Sequence, residues 1–381
     1  MNRCRVRFFS NALAVLVAVA CFERFAAGGT IRDDRADGLY TGLSAQPQFS
    51  ASGYLGILVN GSPAGVASGT LIEPNWVLTA GHCVVDEAGA VGTSWTFQIG
   101  SQVVTVTPES VFFPKQYVTS GFDSGYDVAL LRLPIPIRGV RPAAMSATTD
   151  ELGKVIATLG YGTTGNGNTG NTQAPGIRRA GQNIVDAFAA TIAAPGYNAA
   201  PTVVGSQRTL LYDFDNPQGT RSTIGSAIPL NLEYSGAPGD SGGGAFLLSG
   251  GGSRIIGVVS AGISPNGLAQ SSYGTTAIYA RVSQNIPWLR AAMAGWEMPL
   301  PTIIAQARQG TLQSAAQASL QRVAAFAQKG YRLTRLVARV ESAAKPEPLE
   351  FANMFQPEES GLWLLSKVAL AGIASQQAER P

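Results

Sequence analysis

Residues 237–244 read Ala237-Pro238-Gly239-Asp240-Ser241-Gly242-Gly243-Gly244. Glycine on both sides of a serine frees the backbone for a tight turn that presents the hydroxyl. The same freedom lets the N–H groups of Gly239 and Ser241 converge on one point, which is how an oxyanion hole is built. Taken alone, a serine in a glycine-rich stretch is as often an ordinary turn, so its meaning depends on what else the chain supplies.

The chain holds a single histidine. His82 sits in Leu78-Thr79-Ala80-Gly81-His82-Cys83, just after the strand-like residues 75–78. A histidine without context is structural more often than catalytic, but any chemistry that needs an imidazole must use this one. A further segment, Tyr126-Asp127-Val128-Ala129-Leu130-Leu131-Arg132-Leu133, sets one acid directly before a run with the character of a buried strand. A carboxylate at the mouth of an apolar strand is costly to desolvate unless something donates to it. An imidazole N–H is a suitable donor; a solvated loop aspartate is the ordinary alternative.

Taken in the order His82, Asp127, Ser241, the three segments resemble the chymotrypsin/trypsin family of serine proteases, in a secreted, bacterial-type form with a C-terminal helical extension. That order separates the family from subtilisins and α/β-hydrolases, which arrange the same residue types differently along the chain. The resemblance covers residues 50–298 and includes Gly160-Tyr161-Gly162, Ile256-Gly257-Val258-Val259-Ser260 and Ile286-Pro287-Trp288-Leu289. It implies an all-β fold of two six-stranded antiparallel barrels with an active site in the cleft between them. It also implies peptide-bond hydrolysis through an acyl-enzyme: Ser241 attacks, His82 takes its proton, Asp127 orients the imidazole, and the Gly239 and Ser241 amides receive the oxyanion. No metal and no organic cofactor is expected. Two alternatives share the motifs: an esterase with the same triad, and a binding protein on a protease scaffold.

The same register places Ser235 at the base of the primary specificity pocket, with Ser260 and Gly262 along one wall and Ala277 on another. An uncharged base argues against a strict Lys/Arg preference, because no buried carboxylate would meet the cation. Cys83 matches a family cysteine whose disulfide partner position is occupied by Ala67, so its thiol is expected to be free and buried. The family pairs the acid beside its serine, here Asp240, with an ammonium freed by processing. The nearest counterpart of the family's Ile-Val-Gly-Gly start is Ile31-Arg32-Asp33-Asp34, so processing near Thr30 would supply that ammonium, or an arginine would replace it.

Composition narrows the remaining possibilities. The 381 residues are 45% hydrophobic and 13% charged, enough apolar content for a sizeable core and incompatible with disorder throughout. A formal net charge of +3 argues against nucleic acid as the main partner; a polypeptide substrate is what the resemblance implies. One histidine and three cysteines, of which Cys4 and Cys21 lie at the extreme N-terminus, exclude a zinc site of several imidazoles and thiolates. Arg3, Arg5 and Arg7 followed by the apolar residues 8–22 read as an export signal, giving a secreted or periplasmic protein. Ala18, Val19 and Ala20 before Cys21 suit ordinary cleavage or, as the minority alternative, a lipid anchor on that cysteine.

The expected organisation is a signal over 1–28, an N-terminal segment over 29–50, a protease domain over 51–298 and a helical extension over 299–381. Short runs rich in Val, Ile, Leu and Thr at 54–59, 70–78, 101–107, 127–133, 155–159 and 254–259 read as strands. Residues 162–176, rich in Gly, Asn and Thr, read as an exposed, mobile loop. Beyond 301, Leu320, Val323, Ala324 and Ala327, then Leu333, Leu336, Val337 and Val340, fall at helical spacing, with a stop at Lys329-Gly330 and a further short helix over 361–374. Residues 301–345 carry seven Lys/Arg against Glu341, a basic surface for an envelope or partner protein, although packing on the barrels is favoured. Asp213 and Asp215 admit a calcium loop, with a solvated turn favoured. Oligomeric state is not legible.

Overall fold

The computed structural model describes residues 28–86, 89–120, 122–194, 196–249, 252–307, 321–335 and 338–339. The expected signal, both N-terminal cysteines and the helix over 361–374 lie outside these. Among the described residues no helix is long and apolar enough to cross a membrane.

Two curled half-barrel sheets dominate, as in the trypsin fold. In the first, the strand order is Gln102–Val106, Ser94–Ile99, Ser52–Val59, Ser62–Glu73, Trp76–Thr79, Ala129–Arg132 and Val111–Phe112. In the second it is Arg179–Ile184, Val155–Gly160, Gly244–Ser249, Gly252–Pro265, Thr276–Arg281 and Thr209–Asp213. Period-two patterning accounts for the curl: in Ser94–Ile99, Trp95, Phe97 and Ile99 face inward while Gln98 is exposed. One apolar cluster fills the first half-barrel and runs on to Leu159, Phe246, Ile255 and Val258 of the second. The two sheets therefore share one continuous core. The helix Val282–Met293 closes the trypsin-like part and buries Ile286 and Leu289.

Three local expectations are corrected. Residues 162–176 are not a free loop: Thr164–Asn166 and Gly170–Gln173 form a small sheet with Gly29–Ile31, which also pairs with Tyr234–Ser235. The incoming N-terminal segment supplies the backbone partners that the glycine-rich stretch lacks on its own. Asp213 and Asp215 are buried, not solvated, because residues 216–233 fold back over them. The Asp213 carboxylate accepts hydrogen bonds from the Thr223 and Ile224 amides and the Ser222 hydroxyl, and the Asp215 amide donates to Glu233. Among the described residues no three His, Cys, Asp or Glu side chains are disposed to hold a metal ion.

The third correction lies in the tail. Residues 321–328 are helical as expected and Gly330 ends the helix with φ +85°. The second expected helix is instead a strand, Tyr331–Arg335, paired antiparallel with the Gly252–Pro265 strand. It is followed by Ala338–Arg339, which pairs with the Ser62–Glu73 strand of the other sheet. A free antiparallel sheet edge offers two main-chain hydrogen bonds to every second residue, and this outweighs helical spacing in so short a run. Arg322 forms an ion pair with Asp123 at 2.5 Å and Arg332 donates to the Leu268 carbonyl, so these two cations are used internally.

Candidate active site

His82 is carried by the one-turn Gly81–Cys83 helix at the end of the Trp76–Thr79 strand. The adjacent Cys83 carbonyl accepts from the Trp95 indole at 2.9 Å, which ties the turn to the core. Cys83 is free and fully buried, and burial pushes its thiol far above the ordinary range, so it is an inert core residue. Asp127 precedes the Ala129–Arg132 strand, which lies against Trp76–Thr79 in the register Ala129 to Thr79. That register brings the aspartate beneath the histidine.

Asp127 accepts from the His82 backbone N–H at 2.9 Å through Oδ1, and from the imidazole Nδ1 at 2.7 Å through Oδ2. The Ser260 hydroxyl also donates to Oδ2. Burial raises the cost of its charge, but the imidazole and these hydrogen bonds outweigh it and hold the carboxyl below the usual carboxylate range. With the Nδ1 proton committed to the carboxylate, Nε2 is left as the acceptor, and Ser241 Oγ lies 2.6 Å from it. All three side chains are buried.

The serine turn is fixed from below. Gly239 has φ +101° and Gly242 has φ +80°, and a Cβ on Gly242 would lie 2.0 Å from the Thr79 hydroxyl. The Ser68 amide donates to the Ser241 carbonyl at 2.8 Å, and its hydroxyl donates to the Gly239 carbonyl at 2.9 Å. Within the turn the amides of Asp240, Gly242 and Gly243 donate to backbone carbonyls, whereas among the described residues those of Gly239 and Ser241 donate to none. Two amides are thus left for an oxygen beside Ser241.

Asp240 is held by three neutral donors. Its Oδ1 accepts from the Gly162 amide at 2.8 Å, and its Oδ2 accepts from the Ala237 amide at 2.8 Å and the Tyr234 hydroxyl at 2.9 Å. Among the described residues it forms no salt bridge; Ile31 ends the Gly29–Ile31 strand, and Arg179 pairs with Asp37 at 2.5 Å. With the chain uncut before Ile31, neutral donors hold the Asp240 carboxyl. Burial is the largest influence and pushes the carboxyl up to about 6.

Each of the four expected pocket residues has a defined place. Gly262 and Ala277 face each other across paired strands, Ser260 touches Asp127, and Ser235 is buried on the Tyr234–Ser235 strand next to Thr30. Tyr234 and Ser68 were missed by sequence reading. No spacing rule links a serine to a turn 171 residues away, and a tyrosine beside Ser235 reads as ordinary core.

Comparison with known proteins bears on the family. The family model Trypsin matches residues 45–187, a span that contains His82 and Asp127. The thrombin-like enzyme gyroxin B1.7 of Crotalus durissus terrificus is 28% identical over 60% of this chain and 78% of its own. The snake venom serine protease serpentokallikrein-1 of Protobothrops mucrosquamatus is 26% identical over the same shares. Brachyurin of Leptuca pugilator is 32% identical over 25% of this chain and 43% of its own. These matches support a chymotrypsin/trypsin-like serine protease family for the chain, and with it a serine endopeptidase, a hydrolase acting on polypeptides.

Proposed function

We propose that this protein is an exported endopeptidase in which Ser241, His82 and Asp127 form the catalytic triad. The observation that carries the reading is the unbroken chain from Ser241 Oγ through His82 to Asp127, with contacts of 2.6 and 2.7 Å. Ser241 Oγ attacks the scissile carbonyl carbon while its proton passes to His82 Nε2. The oxyanion is received by the Gly239 and Ser241 amides, each donor being worth roughly 3 kcal/mol of barrier. Asp127 stabilises the imidazolium, which then protonates the leaving amine as the C–N bond breaks. Water, deprotonated by the same imidazole, hydrolyses the ester and restores Ser241. Ser260 fixes Asp127 and Asp240 fixes the oxyanion turn.

Selectivity follows from the walls. Ser235, Ser260, Gly262 and Ala277 supply no carboxylate, so medium-sized apolar or aromatic residues are preferred before the cleaved bond over Lys or Arg. Export by the N-terminal signal places the enzyme outside the cytoplasm.

Peptide substrates that differ only in the residue before the bond test both parts. Leu or Phe is expected to exceed Arg in kcat/KM, with turnover lost in Ser241→Ala. An Arg preference would overturn the pocket assignment. Ester turnover without peptide turnover would overturn the endopeptidase reading.

A further inference from the structure

The strand Gly252–Pro265 has two partners at its C-terminal end. On one side Gly262 pairs with Ala277; on the other side the tail strand Tyr331–Arg335 occupies the edge, with Ala261 opposite Arg335, Gly262 opposite Thr334 and Ile263 opposite Leu333. Arg335 is thus paired one residue from Ser260, whose hydroxyl touches Asp127. The chain is next found on the other half-barrel, where Ala338 pairs with Val66 and Arg339 with Gly65. Val66 lies two residues before Ser68, which holds both carbonyls of the serine turn.

Two residues, Leu336 and Val337, connect these pairings. Three Cα steps reach at most about 11 Å. The tail therefore pairs by main chain with two edges, each within two residues of a group touching the catalytic machinery. An extended polypeptide bound by adding a strand to exposed edges uses the same hydrogen bonds.

The tail is also anchored. Phe326 and Tyr331 are buried in one cluster with Ala261, Ile263 and Ile278, Phe326 packs on Phe122 at 5.8 Å between ring centroids, and the Asn266 amide donates to the Gly330 carbonyl at 2.8 Å. Anchoring upstream of the edge keeps the following strand at high effective concentration over it.

We propose that the chain's own residues 331–335 and 338–339 are the resident occupant of the polypeptide-binding track along the edges at 261–265 and 65–66. This rests on the triad reading of the preceding subsection. An outside polypeptide must displace the tail, or the tail must be cut, before the track is free. Where the enzyme cuts its own chain, the cut falls between Arg335 and Ala338. The step is ordinary hydrolysis: one C–N bond breaks, water supplies OH to the acyl carbon and a proton to the amine.

The experiment compares the full chain with Thr334→Pro, which removes the N–H opposite Gly262 and cannot continue the edge pairing. Titration with a fluorophosphonate counts active sites in each sample, so a missing adduct in every sample indicts the triad reading and leaves the tail out of the matter. With sites counted, Thr334→Pro is expected to gain at least tenfold in kcat/KM on a peptide substrate. Equal values within twofold would overturn the proposal. Should that variant fail to fold, hydrogen exchange on the full chain decides: binding a peptidyl boronic acid is expected to strip protection from residues 331–335. Unchanged protection with the inhibitor bound would overturn the proposal. Intact mass is expected to reveal a cut between Arg335 and Ala338 in any activated wild-type fraction, and none in Ser241→Ala.

Discussion

Substituting Tyr234→Phe removes one hydrogen bond from the buried Asp240 and keeps nearly the same volume. Three donors hold that carboxylate: the Gly162 and Ala237 amides and the Tyr234 hydroxyl at 2.9 Å. A hydrogen bond to a charged group contributes about 1.5–3 kcal/mol. At 1.36 kcal/mol per pH unit, its loss raises the Asp240 carboxyl by roughly 1–2 units. Asp240 already stands at about 6 because of burial. In the variant, ionisation therefore moves to between about 7 and 8. At pH 7 much of the carboxyl is then protonated and holds the Gly162 and Ala237 amides weakly, so the turn that presents Gly239 and Ser241 loosens. The expected loss in kcat/KM at pH 7 is roughly ten- to hundredfold, carried mainly by kcat, and it shrinks as the pH is raised towards 9. The assay is a pH profile of peptide hydrolysis on both proteins, corrected for active-site titre. A loss under threefold, with superimposable profiles, would refute the idea that the Tyr234 hydroxyl holds Asp240 ionised and the serine turn in place.

Two further outcomes test the scaffold. Arg281 and Glu151 form a buried ion pair at 2.6 Å, with Ser283 also donating to the carboxylate; Glu151→Ala should destabilise by about 3–5 kcal/mol, measured by urea unfolding, and a change below 1 kcal/mol would contradict the strandedness of the arginine. Burial, reinforced by neighbouring carboxylates, also pushes Asp186 up to about 7, Glu233 to about 8 and Asp215 to about 9. The native state then binds more protons than the unfolded chain from about pH 4 to about pH 9, so stability is greatest at mildly acidic pH and falls as pH rises through these values. Unfolding midpoints at pH 5, 7 and 9 should decline in that order; a rise would show that the cluster is ionised in the native protein.

The catalytic segments were legible because their chemistry is local: a glycine-flanked serine, a histidine after a strand and an aspartate before one each announce a backbone requirement. What joins them is not local. Ser68 grips the serine turn from another half-barrel, and the Tyr234 hydroxyl donates to Asp240, a contact that leaves no pattern in composition or spacing. The tail misled for a physical reason as well. Leu333, Leu336, Val337 and Val340 satisfy helical spacing, but residues 331–335 lie beside an open edge, and main-chain pairing with Ala261 and its neighbours decides their form. Asp213 and Asp215 read as turn residues until residues 216–233 close over them.

The central claim, that His82 activates Ser241, is tested most directly by mass spectrometry of the processed protein after exposure to a fluorophosphonate, alongside Ser241→Ala and His82→Ala. The account predicts one adduct, on Ser241, lost in Ser241→Ala and slowed by several orders of magnitude in His82→Ala. Folded wild-type protein that takes up no probe, or labels equally fast without His82, would contradict it.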